Sequence, residues 1–217
     1  MKHIVMVQPR EGVYDKVFKP WIPLSLLCAV SKLAIEGYTI TIIDQRVSHD
    51  WESELRKALD THPICAGITS MTGSQILGAL AASRLVKEHG SVPVVWGGVH
   101  CSLFPDETIV HDDIDIIVKG EGEITFYELV KRIETERSLD GLESVWYKQD
   151  GTIKKNPDRA FIDLNDMPDT PYHLVDLNNY LHQFFNEKHV LEVESSRGCP
   201  YACAFCYNSL YSKCKWR

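Results

Sequence analysis

The sequence predicts an α/β fold with a doubly wound, parallel, five-stranded sheet, followed by a β-hairpin, a linker and the truncated start of a (β/α) barrel. Two observations predict the sheet. Five short runs rich in β-branched residues are almost continuously apolar, as parallel strands buried on both faces are. Amphipathic segments lie between these runs, and strands that alternate with helices form doubly wound sheets. The runs are residues 4–7, 39–43, 64–68, 92–95 and 114–118.

Four amphipathic segments supply the helices of this fold. The first spans residues 24–35 and the second 51–59. The third, rich in small residues, spans 76–85, and the fourth spans 126–133. We expect the flavodoxin-like strand order 2-1-3-4-5, which places the carboxyl ends of all five strands at one edge of the sheet.

The remaining third of the chain is predicted to contain a hairpin, a linker and a further strand. The Asp150-Gly151 pair is a strong turn signal and predicts a hairpin over residues 143–156. Prolines among Asp and Asn residues then predict a wrapping linker, and the alternation at 189–194 predicts a strand. The sequence therefore predicts a Rossmann-like domain at 1–140, a hairpin and linker at 141–188, and the start of a barrel at 189–217.

Composition limits the classes of function. Of 217 residues, 44% are hydrophobic and 24% are charged, which is ordinary for a globular protein. The net charge of −7 argues against non-specific binding of nucleic acid, which needs a positive surface. The longest uncharged apolar stretch, residues 21–30, is shorter than the roughly 20 residues of a membrane span. We find no signal-peptide pattern, no phosphate-binding loop and no nucleophile elbow.

Seven cysteines are present, and four of them fall within the last 19 residues. An odd number without a signal peptide predicts reduced thiols in the cytoplasm. Cys199, Cys203 and Cys206 have C-x₃-C-x₂-C spacing directly after the predicted strand at 189–194. Three thiolates can hold three corners of a four-iron cluster. A zinc site closed by Cys214, or surface thiols without a metal, are the alternatives.

Residues 196–206, SRGCPYACAFC, resemble the signature of the radical S-adenosylmethionine (SAM) superfamily. The resemblance implies a [4Fe–4S] cluster on Cys199, Cys203 and Cys206. It also implies that SAM chelates the open iron and is cleaved by one electron to methionine and a 5′-deoxyadenosyl radical. Residues 189–194 would then be the first strand of the family's barrel. Cys214 would lie on the helix that follows and would not be a ligand.

Small and polar residues follow the third, fourth and fifth predicted strands, where ligands bind in doubly wound sheets. Glycines let a backbone approach a bulky ligand closely, and hydroxyl groups can hydrogen-bond amides or a nucleotide tail. Alternatively, the glycines only make turns and the glutamates only begin a helix, where the dipole favours them. The candidate binding residues are Ser70, Thr72, Gly97, Gly98, His100, Gly120, Glu121, Gly122 and Glu123.

Residues 96–105, 118–123 and 161–168 resemble the N-terminal module and linker of cobalamin-dependent radical SAM enzymes. The resemblance covers nearly the whole chain and implies that the candidate residues bind cobalamin. Many corrinoid proteins carry D-x-H-x-x-G, whose histidine ligates cobalt, and this sequence lacks that motif. We therefore expect no cobalt ligation through it. His100 is expected to contact the corrin or its tail, or to be a hydrogen-bonded loop histidine.

The resemblance implies the N-terminal part of an enzyme that performs radical methyl transfer, or oxidation and cyclisation, on an unknown small molecule or peptide. An electron donor such as flavodoxin or ferredoxin is implied as a partner. The catalytic residues are not specified by the sequence. Because only about 28 residues follow His189 and a barrel needs roughly 200, the chain alone is expected to be catalytically incomplete. The alternatives are a cobalamin-binding module without activity of its own, and a flavodoxin- or receiver-like domain with a zinc-binding tail.

Overall fold

The computed structural model describes residues 2–217, in which a seven-stranded sheet is covered by helices on both faces. The strands of this sheet are β1 His3–Gln8, β2 Thr39–Asp44, β3 Ala66–Thr69, β4 Val94–Gly97, β5 Ile116–Val118, β6 Val145–Gln149 and β7 Thr152–Lys155. The helices are α1 Leu24–Ile35, α2 Trp51–Leu59, α3 Gln75–His89, α4 Val99–Leu103, α5 Pro105–Ile109, α6 Gly122–Glu134 and α7 Asn208–Tyr211. A separate hairpin consists of β8 His182–Phe184 and β9 Glu187–Val190.

The strand order is β2-β1-β3-β4-β5-β6-β7. The first five strands are parallel, so the predicted order 2-1-3-4-5 is confirmed. The predicted hairpin is also present as β6 and β7, and it extends the sheet because β6 pairs antiparallel with β5. The sequence did not predict this pairing. Val145, Trp146 and Tyr147 are all buried, which explains why the hairpin joins the sheet.

The two faces of the sheet are covered by different helices because side chains alternate along each strand. Val5, Ile68 and Trp96 pack with α2 and α3 on one face, and α4 and α5 contribute to the same cluster. Ile4, Met6 and Val95 pack with α1 and α6 on the other face. The short helices α4 and α5, between β4 and β5, were not predicted.

Some details of the predicted elements are wrong. The third, fourth and fifth strands begin at Ala66, Val94 and Ile116, each two residues later than the apolar runs suggested. The helical pattern places Ile35 on the apolar face of the first predicted helix and Leu77 on that of the third. Both side chains are more than 70% exposed, because the buried faces of α1 and α3 are set by other residues.

The predicted strand at 189–194 is the clearest error. Only its first two residues are in a strand, and they belong to the β8–β9 hairpin. The pairing ends where Val190 lies opposite His182, the first residue of β8, so the residues that follow have no strand beside them. Cys214 also differs from its predicted place on a helix, since it lies in the turn after α7 with a φ of 54°.

Within residues 2–217, none of the helices combines the length and the apolar character that crossing a membrane requires.

Candidate functional site

A cavity of about 370 Å³ lies at the carboxyl ends of β3, β4 and β5. This volume is within the range of small-molecule pockets, and the edge is where doubly wound sheets bind ligands. Residues of α1, among them Ser25 and Ala29, form one wall, and residues after 193 form another. Six of the nine candidate binding residues line the cavity: Gly97, Gly98, Gly120, Glu121, Gly122 and Glu123.

The glycines of the cavity have two different structural roles. Gly98 has a φ of +93°, and a Cβ atom on it would lie 2.7 Å from the carbonyl oxygen of Ser70. Close backbone packing therefore requires a glycine there. A Cβ atom on Gly97 would have its nearest neighbour, the carbonyl oxygen of Val118, at 3.9 Å. One on Gly120 would meet nothing within 4 Å, although the φ of +69° at Gly120 by itself favours glycine. At these two positions the missing side chain leaves open space beside the backbone.

Ser70, Thr72 and His100 are not among the residues that line the cavity. Ser70 is buried, and its hydroxyl group donates to the carbonyl oxygen of Gly97 over 3.1 Å. Its own carbonyl oxygen accepts from the backbone N–H of His100 at 3.1 Å. Ser70 thus joins the loops that follow β3 and β4.

Thr72 and His100 form a pair beside the cavity, with Thr72 Oγ1 and His100 Nδ1 3.0 Å apart. The ring of His100 also lies 5.6 Å from that of Phe104. Burial lowers the pKa of His100, which favours a neutral imidazole at pH 7. The binding roles assigned to Thr72 and His100 stay predictions.

The carboxylate of Glu121 is buried and hydrogen-bonded on both oxygens. Arg217 Nη2 donates to Oε1 over 2.5 Å, and Arg197 Nη1 donates to the same oxygen over 3.3 Å. Oε2 accepts from Arg217 Nη1 and from the backbone N–H of Ile162, at 3.2 and 3.1 Å. Burial alone would raise the pKa of Glu121, but the bonds from Arg217 and Ile162 outweigh it and hold the pKa below its usual range. Glu121 is therefore an anion in this structure.

Glu123 differs from Glu121 because one of its oxygens is unpartnered. Arg197 Nη2 donates to Glu123 Oε1 over 2.5 Å, whereas Oε2 is buried without a hydrogen-bond partner among the described residues. The side chains of Glu123 and Arg197 are only 6% and 17% exposed. Glu123 also lines the cavity, so a buried carboxylate oxygen without a protein donor belongs to one of its wall residues.

The three motif cysteines lie on a loop held above this edge of the sheet. The backbone N–H groups of Arg197 and Arg217 each donate to the other's carbonyl oxygen over 2.9 Å, so the segment between them forms a closed loop. The hydroxyl group of Tyr211 donates to the carbonyl oxygen of Gly120 over 3.2 Å. Arg197, Tyr211 and Arg217 therefore all connect this segment to the loop after β5.

The thiols themselves are accessible to different degrees. Cys203 is exposed and Cys199 and Cys206 are partly buried. The N–H of Cys206 donates to the carbonyl oxygen of Cys203 over 3.1 Å. Across residues 2–217, no three His, Cys, Asp or Glu side chains are gathered closely enough to hold a metal ion. The assignment of Cys199, Cys203 and Cys206 as cluster ligands stays a prediction.

Sequence reasoning missed several residues that line the cavity. Arg197 belongs to the cysteine motif, but nothing in the sequence indicated that its side chain reaches Glu121 and Glu123. Arg217 and Tyr211 carried no signal, because their contacts with residues 120 and 121 span more than 90 positions of sequence. Cys28 of α1 is another wall residue, and its Sγ lies 3.9 Å from Thr170 Oγ1.

Comparison with known proteins agrees with this arrangement. The family described as "B12 binding domain" matches residues 11–130. An uncharacterized methyltransferase of Pyrococcus horikoshii is 30% identical over 221 residues, covering 100% of this chain and 47% of the relative. The anaerobic magnesium-protoporphyrin IX monomethyl ester cyclase of Synechocystis is 25% identical, covering 95% of this chain and 42% of the relative. The chain thus spans about half the length of these relatives.

Two solved structures share the fold. The cobalamin-dependent S-adenosylmethionine radical enzyme OxsB, with aqua-cobalamin and S-adenosylmethionine bound, superposes with a TM-score of 0.76 at 23% identity, covering 95% of this chain and 28% of that one. The radical S-adenosylmethionine methyltransferase TsrM from Kitasatospora setae, with cobalamin and a [4Fe-4S] cluster bound, gives 0.70 at 18% identity, covering 96% and 42%.

The family match spans more than half of the 217 residues and includes every glycine of the cavity except Gly198. It also begins before α1 and ends within α6, so it contains α1 and most of α6, the two helices that cover the cavity's face of the sheet. The chain belongs to the B12-binding domain family.

Proposed function

We propose that this chain is the N-terminal, cobalamin-binding part of a cobalamin-dependent radical SAM enzyme. The observation that carries the proposal is one cavity with two kinds of wall. One wall is the glycine-rich carboxyl edge of the sheet, and the other is the segment that holds the C-x₃-C-x₂-C motif. A ligand bound to the first wall would therefore lie next to the second.

The walls of the cavity suit one part of an amide-rich ligand such as a corrinoid, since about 370 Å³ encloses only a fraction of so large a molecule. Gly97 and Gly120 leave space beside the backbone, which a wide ring needs for close approach. The unpartnered Oε2 of Glu123 is a buried acceptor for an amide N–H group. Thr72 and the neutral His100 lie beside this edge, where they would contact the ring or its tail. This fit supports cobalamin binding by the glycines and Glu123 of the cavity wall, with Thr72 and His100 beside them.

The donor set of the cysteine loop suits an iron–sulfur cluster. Thiolates are the protein ligands of such clusters, and three of them leave one iron for another ligand. We assign Cys199, Cys203 and Cys206 to this role and SAM to the open iron. When bound, the cluster and SAM supply an organic radical by one-electron cleavage, and cobalamin supplies methyl-group chemistry. The protein's own part is to hold the two groups on facing walls of one cavity.

Two reaction classes follow for the longer protein: radical methyl transfer, and oxidation with ring formation. The relatives include proteins named as a methyltransferase and as a cyclase. We propose a small-molecule or peptide substrate, since the TsrM structure was also solved with tryptophan bound. We further propose flavodoxin or ferredoxin as the donor of the electron that cleaves SAM. The proposed compartment is the reducing cytoplasm, because all seven cysteines are free thiols.

The domain division that fits this proposal is a cobalamin-binding domain at 1–140, a hairpin and linker at 141–188, and the start of the radical SAM domain at 189–217. On this division the 217 residues alone bind cofactors without turnover. The zinc-tail alternative keeps the same fold but places zinc, with Cys214 as fourth ligand, where the cluster is proposed.

The test is anaerobic reconstitution of the chain with hydroxocobalamin, iron and sulfide, followed by gel filtration and absorption spectroscopy. We expect corrin bands from the bound cofactor and a broad iron–sulfur shoulder. Replacing Cys199, Cys203 and Cys206 together by Ala should remove the shoulder and leave the corrin bands. The matched control Cys214→Ala, which changes a cysteine outside the motif, should keep both.

Two results would count against the proposal. A protein that elutes without corrin bands at saturating hydroxocobalamin does not bind cobalamin. A colourless protein that holds one zinc ion, and loses it in Cys214→Ala, supports the zinc-tail alternative.

A further inference from the structure

The carboxylates of Glu121 and Glu123 contact arginines that flank the cysteine loop at both ends. Arg197 lies two residues before Cys199 and contacts both glutamates, at 3.3 and 2.5 Å. Arg217 lies eleven residues after Cys206 and contacts Glu121 at 2.5 Å. The segment that contains all three motif cysteines is thus fastened to the loop after β5 through its two ends.

These ion pairs are shielded from water. The side chains of Glu121, Glu123, Arg197 and Arg217 are between 6% and 22% exposed. Breaking a shielded pair leaves a charge without compensation, and such a loss costs far more than breaking a pair at the surface. The cysteine loop therefore cannot shift relative to the sheet edge without separating several charge-assisted hydrogen bonds.

The hydrophobic packing of α6 on the sheet does not involve these glutamates. Helix α6 is held to the sheet by Phe126, Leu129 and Val130, which are buried in the core. Glu121 immediately precedes α6, and Glu123 is a buried side chain of its first turn; neither belongs to the hydrophobic cluster that packs α6 on the sheet. Elsewhere on α6, Glu128 pairs with Arg159 of the linker, whose hydrogen bonds and ion pairs among the described residues go to Glu128, Glu143 and Ser144 and not to the cysteine loop. Glu128 therefore supplies a matched control on the same helix.

We infer that Glu121 and Glu123 are positioning residues, which hold the cysteine loop over the cavity through Arg197 and Arg217. We call these four side chains the clasp, and its existence is inferred from the ion pairs described above. Its purpose, setting the distance between cluster and cobalamin, rests on the proposed function. The inference changes the role assigned to Glu121, whose two oxygens are occupied by protein donors instead of facing a ligand.

The first test needs no cofactor and measures hydrogen–deuterium exchange of residues 197–217 in the full chain. Glu121→Gln should raise the exchange of the N–H groups of Tyr211 and Arg217 by roughly tenfold or more, the effect of losing a hydrogen bond to a charged group. Glu128→Gln should leave them unchanged. The amides of β1 and β3 serve as an internal reference, and their unchanged exchange shows that the variant is folded.

A double variant tests whether faster exchange in Glu121→Gln comes from losing the contact with Arg217 or from a general loss of stability. If Glu121 acts through Arg217, Glu121→Gln with Arg217→Gln should raise the exchange little more than either single change. Exchange of residues 197–217 that is unchanged in Glu121→Gln would overturn the inference. The inference would also be overturned if the fold-increase in exchange of the double variant equalled the product of the fold-increases of the two single variants.

The second test uses the chain reconstituted with cobalamin and the cluster, and it measures the distance between these two groups. The magnetic interaction between cob(II)alamin and the reduced cluster, seen by electron paramagnetic resonance, depends on their separation. At equal iron and cobalamin content, Glu121→Gln should change this interaction and Glu128→Gln should not. An identical interaction in all three proteins would refute the positioning role. If the wild-type chain binds no cobalamin, the proposed function fails, and the exchange experiment still decides whether the clasp exists.

Discussion

Replacing Gly97 and Gly98 separately by Ala distinguishes space for a ligand from space needed by the fold. Both residues line the cavity, and they are adjacent in sequence. A methyl group on Gly98 would meet Ser70 O at 2.7 Å and Thr69 Oγ1 at 2.9 Å, and its φ of +93° disfavours any side chain. A methyl group on Gly97 would project into open space, with nothing nearer than 3.9 Å. The two variants should therefore fail in different ways.

The magnitudes follow from these contacts. For Gly98→Ala, the backbone at φ 93° and ψ −172° lies in a region that is almost confined to glycine and costs about 1–3 kcal/mol, and the overlap with the Ser70 backbone adds about 1–3 kcal/mol. The free energy of unfolding should therefore fall by roughly 2–6 kcal/mol. For Gly97→Ala it should change by no more than about 0.5 kcal/mol. A ligand seated against the Gly97 backbone would instead lose about 1–3 kcal/mol, or roughly 5- to 150-fold in affinity.

The assays are urea unfolding and titration with hydroxocobalamin followed by absorbance. Gly97→Ala should unfold at the wild-type midpoint and bind the corrinoid more weakly. Gly98→Ala should unfold at lower urea concentration. Wild-type affinity in Gly97→Ala would refute the claim that the missing side chain admits a ligand. Wild-type stability in Gly98→Ala would refute the packing argument.

Three further predictions concern the fold around the site. Trp96 Nε1 donates to Ser83 Oγ over 2.7 Å in the core, so Ser83→Ala should lower the free energy of unfolding by about 1–3 kcal/mol; an unchanged urea midpoint would contradict this. The hydroxyl group of Tyr180 donates to buried Asp44 Oδ2 over 3.0 Å, and burial together with that carboxylate raises its pKa. A raised pKa stabilises the fold below the unfolded value of about 10 and less above it. Wild-type stability should therefore fall more steeply than that of Tyr180→Phe from about pH 9 to 11, and parallel curves would contradict this. Burial raises the pKa of Cys65 and Cys101 to about 12, so both should resist iodoacetamide at pH 8 while exposed Cys203 and Cys214 react, as read by mass spectrometry. Labelling of Cys101 as fast as Cys214 in the folded chain would contradict the burial.

Much of the fold was predictable because its signals are local. Strands buried on both faces must be continuously apolar, and Val5, Ile68 and Val95 lie in such runs. The order of the parallel strands was chosen as one of the few common ways to connect strand–helix units, and the sequence alone does not distinguish among them. The place of β6 did not follow, because a hairpin's pattern does not say which strand it joins. Residues 191–194 alternate like a strand, but alternation does not supply the neighbouring strand that pairing needs.

The location of the candidate site was also predictable from local signals, but its side-chain contacts were not. Gly97, Gly98 and Gly120 follow strands whose carboxyl ends meet at one edge, so their position in the chain placed them at the cavity. The partners of Glu121 were not predictable. Its contacts with Arg197 and Arg217 join residues 76 and 96 positions apart, and periodicity carries no information about such pairs.

The central claim is that a corrinoid binds at the carboxyl edge of this sheet, beneath the cysteine loop. A crystal structure of the chain grown anaerobically with hydroxocobalamin tests it most directly. The account predicts corrin density against the backbone of Gly97 and Gly120, with the loop of Cys199 to Cys206 on the other side. A corrinoid bound at any other surface, or crystals grown at saturating hydroxocobalamin without corrin density, would contradict it.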